Sequence, residues 1–256
     1  MTVATSALVF LALACPIPAD AEFDHDHSAW QRLLETVDLG GLIDYERLRA
    51  QPAALDDYIA QIAAVDEGDY TAWSPEQRLA FWINAYNAFT VKAVVERYPF
   101  NRPWWRPAAY KFPPNSVRQA RDFEEQTFTA VGNELSLAEA RGYTLALSTD
   151  PRLPFAMTCP CLGGPPLPAQ AFRAVSLDAQ LDAAARAFAL NPKNVGIDEK
   201  GYVLRLSTLF ASPRIGQPAA WLRRYLPPEA CPALDEPGWR IEWLSFDWTL
   251  DEMADL

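Results

Sequence analysis

The sequence predicts an α+β fold in a single domain, predominantly helical with short antiparallel strands. Three observations lead there. Helix-capping signatures and a 3.6-residue apolar period recur along most of the chain. Segments with a two-residue alternation are few and short. No linker or internal repeat divides the 256 residues, so one large core is the simplest organisation. Half of the residues are hydrophobic and 12% aromatic, enough to fill such a core and too many for a disordered chain.

The elements follow in order. A polar arm, Glu22 to His27, precedes a helix from Ser28 with Trp30, Leu33, Leu34 and Val37 on one face. Gly40-Gly41 stops it, and Leu42-Ile43-Asp44-Tyr45 reads as extended. A second amphipathic helix runs from about Pro52 to Val65, with Leu55, Ile59 and Ile62 in phase. The strongest helix starts at Ser74-Pro75-Glu76-Gln77, which combines an N-cap, a first-turn proline and a Gln three residues after the cap. It reaches about Arg97 and ends at Tyr98-Pro99. From Leu79 to Ile83 it is apolar all round, the mark of a helix buried on most sides.

Five prolines between Pro99 and Pro114 predict an irregular segment. Phe123 to Val131 reads as a strand, Gly132-Asn133 as a turn, and Ser136-Leu137-Ala138-Glu139 as a second capping box opening a helix. Pro154 to Met157 is a candidate buried strand, and Thr158 to Pro168 a rigid loop. Ser176 to Leu190 is amphipathic, with Leu177, Leu181, Ala184 and Phe188 in phase. A hairpin from Val195 to Leu206, a short helix from Ala219 to Tyr225 and a strand from Trp239 to Leu244 close the chain.

Charge narrows the function classes. Thirty-three acidic side chains against 22 basic ones give a net charge of −11. Without clusters of Lys and Arg, this argues against nucleic acid and against an anionic membrane surface as partners. It leaves a small molecule or a protein. There are only two histidines, so a His base or multi-His metal site must draw on His25 and His27. No Gly-rich phosphate loop, His-Glu-x-x-His or Gly-x-Ser-x-Gly motif is present, and the sequence calls for no cofactor and no metal.

Residues Ala7 to Ala14 form an apolar run of signal-peptide length, well short of the roughly 20 residues that span a bilayer. Ala19-Asp20-Ala21 predicts cleavage before Glu22, although no Lys or Arg precedes Arg32. A lipid anchor on Cys15, within Leu11-Ala12-Leu13-Ala14-Cys15, and a buried N-terminal helix are the competing readings. The expected location is the periplasm or the exterior, with no transmembrane segment. Cleavage would leave a net charge of −10 and three cysteines, Cys159, Cys161 and Cys231. An odd count in an oxidising compartment suggests one disulfide and one free thiol. Cys159 and Cys161 look too close for an unstrained mutual bridge. The expected pairing is Cys161–Cys231 or Cys159–Cys231, contributing about 4 kcal/mol by chain entropy, with three reduced thiols as the alternative.

The segment Leu79-Ala80-Phe81-Trp82-Ile83-Asn84-Ala85-Tyr86-Asn87-Ala88 resembles the hallmark helix of the domain of unknown function 547 family. The resemblance extends from His27-Ser28 and Gly41-Leu42-Ile43-Asp44-Tyr45 through Tyr98-Pro99, Ser136-Leu137, Asp150-Pro151-Arg152, Phe155-Ala156-Met157 and Pro165-Pro166-Leu167. Leu206-Ser207 with Phe210, and Phe246-Asp247-Trp248-Thr249-Leu250, complete it. The chain also departs from that pattern. Gly142 and Pro154 stand where the family usually has histidines, Gly164 stands at the usual second loop cysteine, and Cys161 is an addition. Ala211-Ser212-Pro213 stands where a Trp commonly follows. The resemblance therefore implies a member that has lost or relocated any His- or Cys-dependent chemistry.

Four sets of side chains are candidates. Cys159 could act as a nucleophile if a base lowered its pKa; a disulfide half or buried thiol is the structural alternative. Asn84 and Asn87, spaced i, i+3, share a helix face and could bind substrate or tie neighbouring loops to the core. Asp24-His25-Asp26-His27 carries ligand-type residues but reads as a solvated arm, with His27 the more packed of the two histidines. Trp104 or Trp105 could stack on a ligand, whereas Trp239, Trp243 and Trp248 read as packing. The sequence thus favours a non-catalytic binding protein, with a thiol-dependent amide-bond hydrolase or acyltransferase as the alternative.

Overall fold

Helix α1 (Ser28–Val37) buries Trp30, Leu33, Leu34 and Val37, the stripe expected of it. In this computed structural model the described residues are 22–37, 40–101, 112–198, 200, 202–227 and 239–253. The apolar leader, Cys15, Trp104, Trp105 and Cys231 lie outside them. Asp24 caps the entry to α1, its carboxylate accepting from the backbone N–H groups of Asp26 and Ser28. The segment expected to be extended is mostly helix: α2 (Tyr45–Ala50) begins one residue after its Asp44 cap. Only Ile43 pairs as a strand would, bridging Glu252 in parallel. Helix α3 (Ala53–Ala63) is where the periodicity places it. Helix α4 (Glu67–Ala72), capped by Asp66, was not foreseen, because six residues show less than two turns of any period.

Helix α5 (Pro75–Arg97) is the axis of the fold. The Ser74 hydroxyl accepts from the Gln77 N–H, and the Gln77 side chain accepts from the Ser74 N–H, so both arms of the capping box form. From Leu79 to Val91 every residue is buried. A helix with no polar face must be surrounded, and α2, α3 and the helix that follows the first hairpin pack against it.

That hairpin pairs β1 (Thr127–Ala130) with β2 (Asn133–Ser136) across Val131-Gly132. Both turn residues have positive φ, 50° and 69°, the geometry that matches the twist of the strands. The strand expected from Phe123 starts later, since Phe123–Glu125 form a 3-10 turn. Helix α6 (Leu137–Ala146) opens with the reciprocal Ser136/Glu139 box.

The candidate strand at Pro154 to Met157 is instead a short helix, α7 (Leu153–Ala156). Asp150 accepts the Arg152 N–H at 2.8 Å and its carbonyl accepts the Leu153 N–H at 3.2 Å, which turns the chain. Pro154 then occupies a first-turn position that needs no N–H. Apolar content alone does not separate a four-residue strand from one buried helical turn.

Helix α8 (Leu177–Leu190) packs against α7 and buries Leu177, Leu181, Ala185 and Phe188. Strands β3 (Val195–Asp198) and β4 (Val203–Leu206) are antiparallel, as expected. Strand β5 (Arg240–Trp243) joins β4 in parallel, which corrects the wholly antiparallel expectation. The 207–239 stretch, which holds helix α9 (Pro218–Leu222), is long enough for the crossover that a parallel pair requires.

One apolar cluster surrounds α5; a second gathers Phe155, Phe188, Phe210, Trp221 and Tyr225 under the three-stranded sheet. Together they form one α+β domain. Among the described residues, no helix is long and apolar enough to cross a membrane.

Candidate functional site: a cleft beside a two-residue disulfide

Asn84 and Asn87 are fully buried on α5. The Asn87 amide donates to the Ala156 carbonyl at 3.0 Å, and its oxygen accepts the Thr158 N–H at 2.9 Å. Asn84 treats Phe172 the same way, donating to its carbonyl at 2.7 Å and accepting its N–H at 2.9 Å. Each side chain satisfies backbone groups of a buried loop that has no strand partner. Their hydrogen-bonding atoms are committed to that backbone. They therefore position the loop, the second of the two roles expected of them, and neither lines the cleft described below.

The loop they hold carries a disulfide between Cys159 and Cys161, with Cα atoms 5.3 Å apart. The expected Cys161–Cys231 and Cys159–Cys231 pairings are corrected accordingly. The Cys161 N–H donates to the Cys159 carbonyl at 2.7 Å, folding the chain back on itself so that the two side chains converge. Cα atoms two residues apart then fall within the ordinary range for a disulfide. Two further bonds fix the turn: Cys159 N–H to the Pro165 carbonyl at 3.0 Å, and Gly164 N–H to the Cys161 carbonyl at 3.1 Å. Gly164 lies directly on the sulfurs. A Cβ there would stand 2.3 Å from the Cys159 Cβ and 3.0 Å from each Sγ. In this bonded form Cys159 has no thiolate with which to attack a substrate.

Cys159 lines a cleft of about 420 Å³, whereas Cys161 is buried beneath it. Helix α5 contributes Tyr86, helix α6 contributes Ala138 and Arg141, and Arg118 and Glu124 come from the chain before β1. Met157, Leu209, Phe246 and Trp248 supply apolar walls. Arg118 pairs with Glu124 at 3.1 Å and lies 4.2 Å over the Trp248 ring, so the ion pair and the indole form one side. Arg141 has no carboxylate partner among the described residues, and it lines the cleft near Tyr86, on whose phenol its charge acts. Burial raises the Tyr86 pKa and the Arg141 charge pulls the other way. The net shift is upward, so the phenol keeps its proton at neutral pH.

Three of the four replacements expected from the resemblance lie at or beside this cleft, and Ala211-Ser212-Pro213 does not line it. Pro154 lines it, Gly142 follows Arg141 on its helix, and Gly164 presses on its disulfide. Trp248, read as packing from the sequence, is a wall of the site. Arg141 had no sequence signal at all, being one cation on a short helix.

Neither histidine reaches the cleft. The His27 Nδ1 lies 2.8 Å from the Tyr58 hydroxyl, and the ring is buried, as the sequence suggested. Burial first, then the neighbouring His25 charge, lowers its pKa to about 3. His25 was expected to be solvated but is half-buried, its ring 4.5 Å from that of Trp73. Asp24 is occupied as a helix cap. A second cavity, about 450 Å³, lies between α8 and the Pro166–Phe172 segment, lined by Phe155, Leu167, Phe172 and three alanines of α8. Among the described residues its lining holds no charged side chain.

Residues 70–189 match the family described as "Protein of unknown function, DUF547". The matched span includes α5, α6, the disulfide loop and most of α8. No curated protein and no solved structure matches the chain.

Proposed function

We propose that this chain, whose residues 70–189 match the DUF547 family, is an exported protein that binds a small ligand without transforming it. One observation carries the reading. The cleft that combines cations, a hydroxyl and aromatic walls holds its sulfur in a disulfide and has no imidazole beside it. A thiol-dependent hydrolase or acyltransferase needs a free Cys159 and a base to activate it; the described residues offer neither at this cleft. The bonded cysteines favour an oxidising compartment, in keeping with the apolar leader and the Ala19-Asp20-Ala21 cleavage signal. Periplasm or exterior is the proposed location, with a lipid anchor at Cys15 as the alternative mode of processing.

Two measurements test this. A thermal-shift screen of small amphiphilic acids, bases and neutral compounds is run on the wild type and on Ala138→Trp, whose indole would fill the cleft from an exposed helix position. Ligands that stabilise the wild type and not the variant support the reading; none, or ligands indifferent to the variant, overturns it. Intact mass of the exported protein and alkylation without reductant then test the rest. A mature chain starting at Glu22 with an unmodified Cys159 is expected. A Cys159 alkylated at neutral pH would revive the thiol enzyme, and a chain retaining residues 1–21 would refute export by cleavage.

A further inference from the structure

We infer that the ligand of this cleft is a small monocarboxylate with an apolar body, its carboxylate held by Arg141 and Tyr86. The inference rests on the reading of the cleft as a ligand site and gives that site its substrate class.

The charge balance leads to it. The chain carries −11 overall, yet the cleft is lined by two guanidiniums and one carboxylate. Glu124 is already paired with Arg118 at 3.1 Å. Among the described residues Arg141 has no ion-pair partner, in an acid-rich protein, and it lines the cleft. A lone guanidinium matches one negative charge. Its planar fork fits the two oxygens of a carboxylate, and the neighbouring phenol O–H adds a third donor. A phosphate dianion would bring a second charge with no free cation to meet it, and Glu124 would repel it.

The rest of the cleft is apolar. Met157, Leu137, Leu209, Phe246 and Trp248 enclose a volume in the range of drug-sized ligands. An aliphatic or aryl-alkyl chain attached to the carboxylate would be desolvated there, while the ion pair with Arg141 would form at the exposed side of the cleft. The Arg118–Glu124 pair is internally neutral, so it bounds the cleft without competing for the anion.

Isothermal titration of the mature protein with octanoate and 4-phenylbutyrate, against octanamide and 4-phenylbutyramide, tests the class. The acids and amides differ little in shape. The expected result is binding about tenfold tighter for the acids, the scale of one charge-assisted hydrogen bond, weakening as salt rises. Arg141→Gln, at an exposed position, should close the gap between acid and amide, and Arg141→Lys should restore part of it. Ala138→Trp should abolish all binding. If acids and amides bind the wild type equally and Ala138→Trp removes both, the cleft stands as a ligand site and the carboxylate class is overturned. A gap that survives Arg141→Gln overturns the assignment to Arg141. If none of the four probes binds, or Ala138→Trp changes nothing, the class and the site both fall.

Discussion

The Asn87 side-chain oxygen accepts the backbone N–H of Thr158 at 2.9 Å, one residue before the Cys159–Cys161 disulfide. A side chain on the central helix thus sets where the cleft's sulfur-bearing loop begins. Replacing Asn87 by Leu keeps the bulk and removes both bonds, leaving the Ala156 carbonyl and the Thr158 N–H buried and unpaired. The expected loss is about 2–6 kcal/mol in urea unfolding, since each of the two orphaned groups costs about 1–3 kcal/mol. A loss below about 0.5 kcal/mol, within the range of ordinary surface changes, would show that water replaces the amide.

Reduction of the disulfide should cost little. A bond that closes three residues removes far less chain entropy than one reaching Cys231, about 1–2 kcal/mol against about 4. Urea unfolding of the wild type and of the double variant Cys159→Ala/Cys161→Ala measures the difference. A loss near 4 kcal/mol would mean that the bond links distant parts of the chain after all, and non-reducing peptide mapping would then find Cys231 in it.

Gly164→Ala is expected to open the disulfide or to destabilise the fold by about 1–3 kcal/mol, the usual cost of forcing a methyl group into packed atoms. The added carbon meets a Cβ and two sulfurs at 3.0 Å or closer, none at the end of a flexible chain. Thiol titration of the folded variant reads this directly: two newly reactive thiols, or a lowered unfolding midpoint, against neither if the turn can widen.

Two buried groups give opposite pH dependences. His27 is depressed from 6.5 to about 3, chiefly by burial. Between those values the unfolded chain binds the extra proton, so this group's contribution to stability is complete above pH 6.5 and is lost as pH falls. Asp251, buried with its Oδ1 accepting from the Tyr45 hydroxyl at 2.8 Å, is raised from 3.8 to about 7, again chiefly by burial. There the native state holds the proton, so stability is lost as pH rises from 3.8 to about 7. The two effects oppose each other from about pH 3.8 to 6.5. Asp251→Asn should therefore make stability climb more steeply with pH than in the wild type, by up to about 1.4 kcal/mol per unit. His27→Gln should change the slope by a similar amount in the other direction. Parallel stability curves for wild type and both variants would refute both protonation states.

Much of the helical frame was legible before folding. Ser74-Pro75-Glu76-Gln77 and Ser136-Leu137-Ala138-Glu139 act within four residues, so their caps form as read. The i, i+3 spacing of Asn84 and Asn87 placed both amides on one face, and loop tethering was one of two roles open to them. What chose between the roles was the position of Ala156, Thr158 and Phe172, which come from distant parts of the sequence. The same distance hid the cleft: Tyr86, Arg141, Cys159 and Trp248 are brought together only by the packing of α5, α6 and the C-terminal segment. The disulfide was misread for a local reason. Its partners were judged as extended chain, whereas the bond from Cys161 N–H to the Cys159 carbonyl doubles the backbone back.

The seat of Gly164 on the two sulfurs makes positions 161 and 164 interdependent. In this chain the cysteine stands at 161 and a glycine at 164. A cysteine gained at 161 while 164 keeps a side chain has no room to close on Cys159. A glycine gained at 164 without Cys161 leaves Cys159 as a lone thiol in an open cleft. Neither residue alone gives the bond: the covalent partner of Cys159 depends on a bare backbone three residues beyond it, through this one close approach.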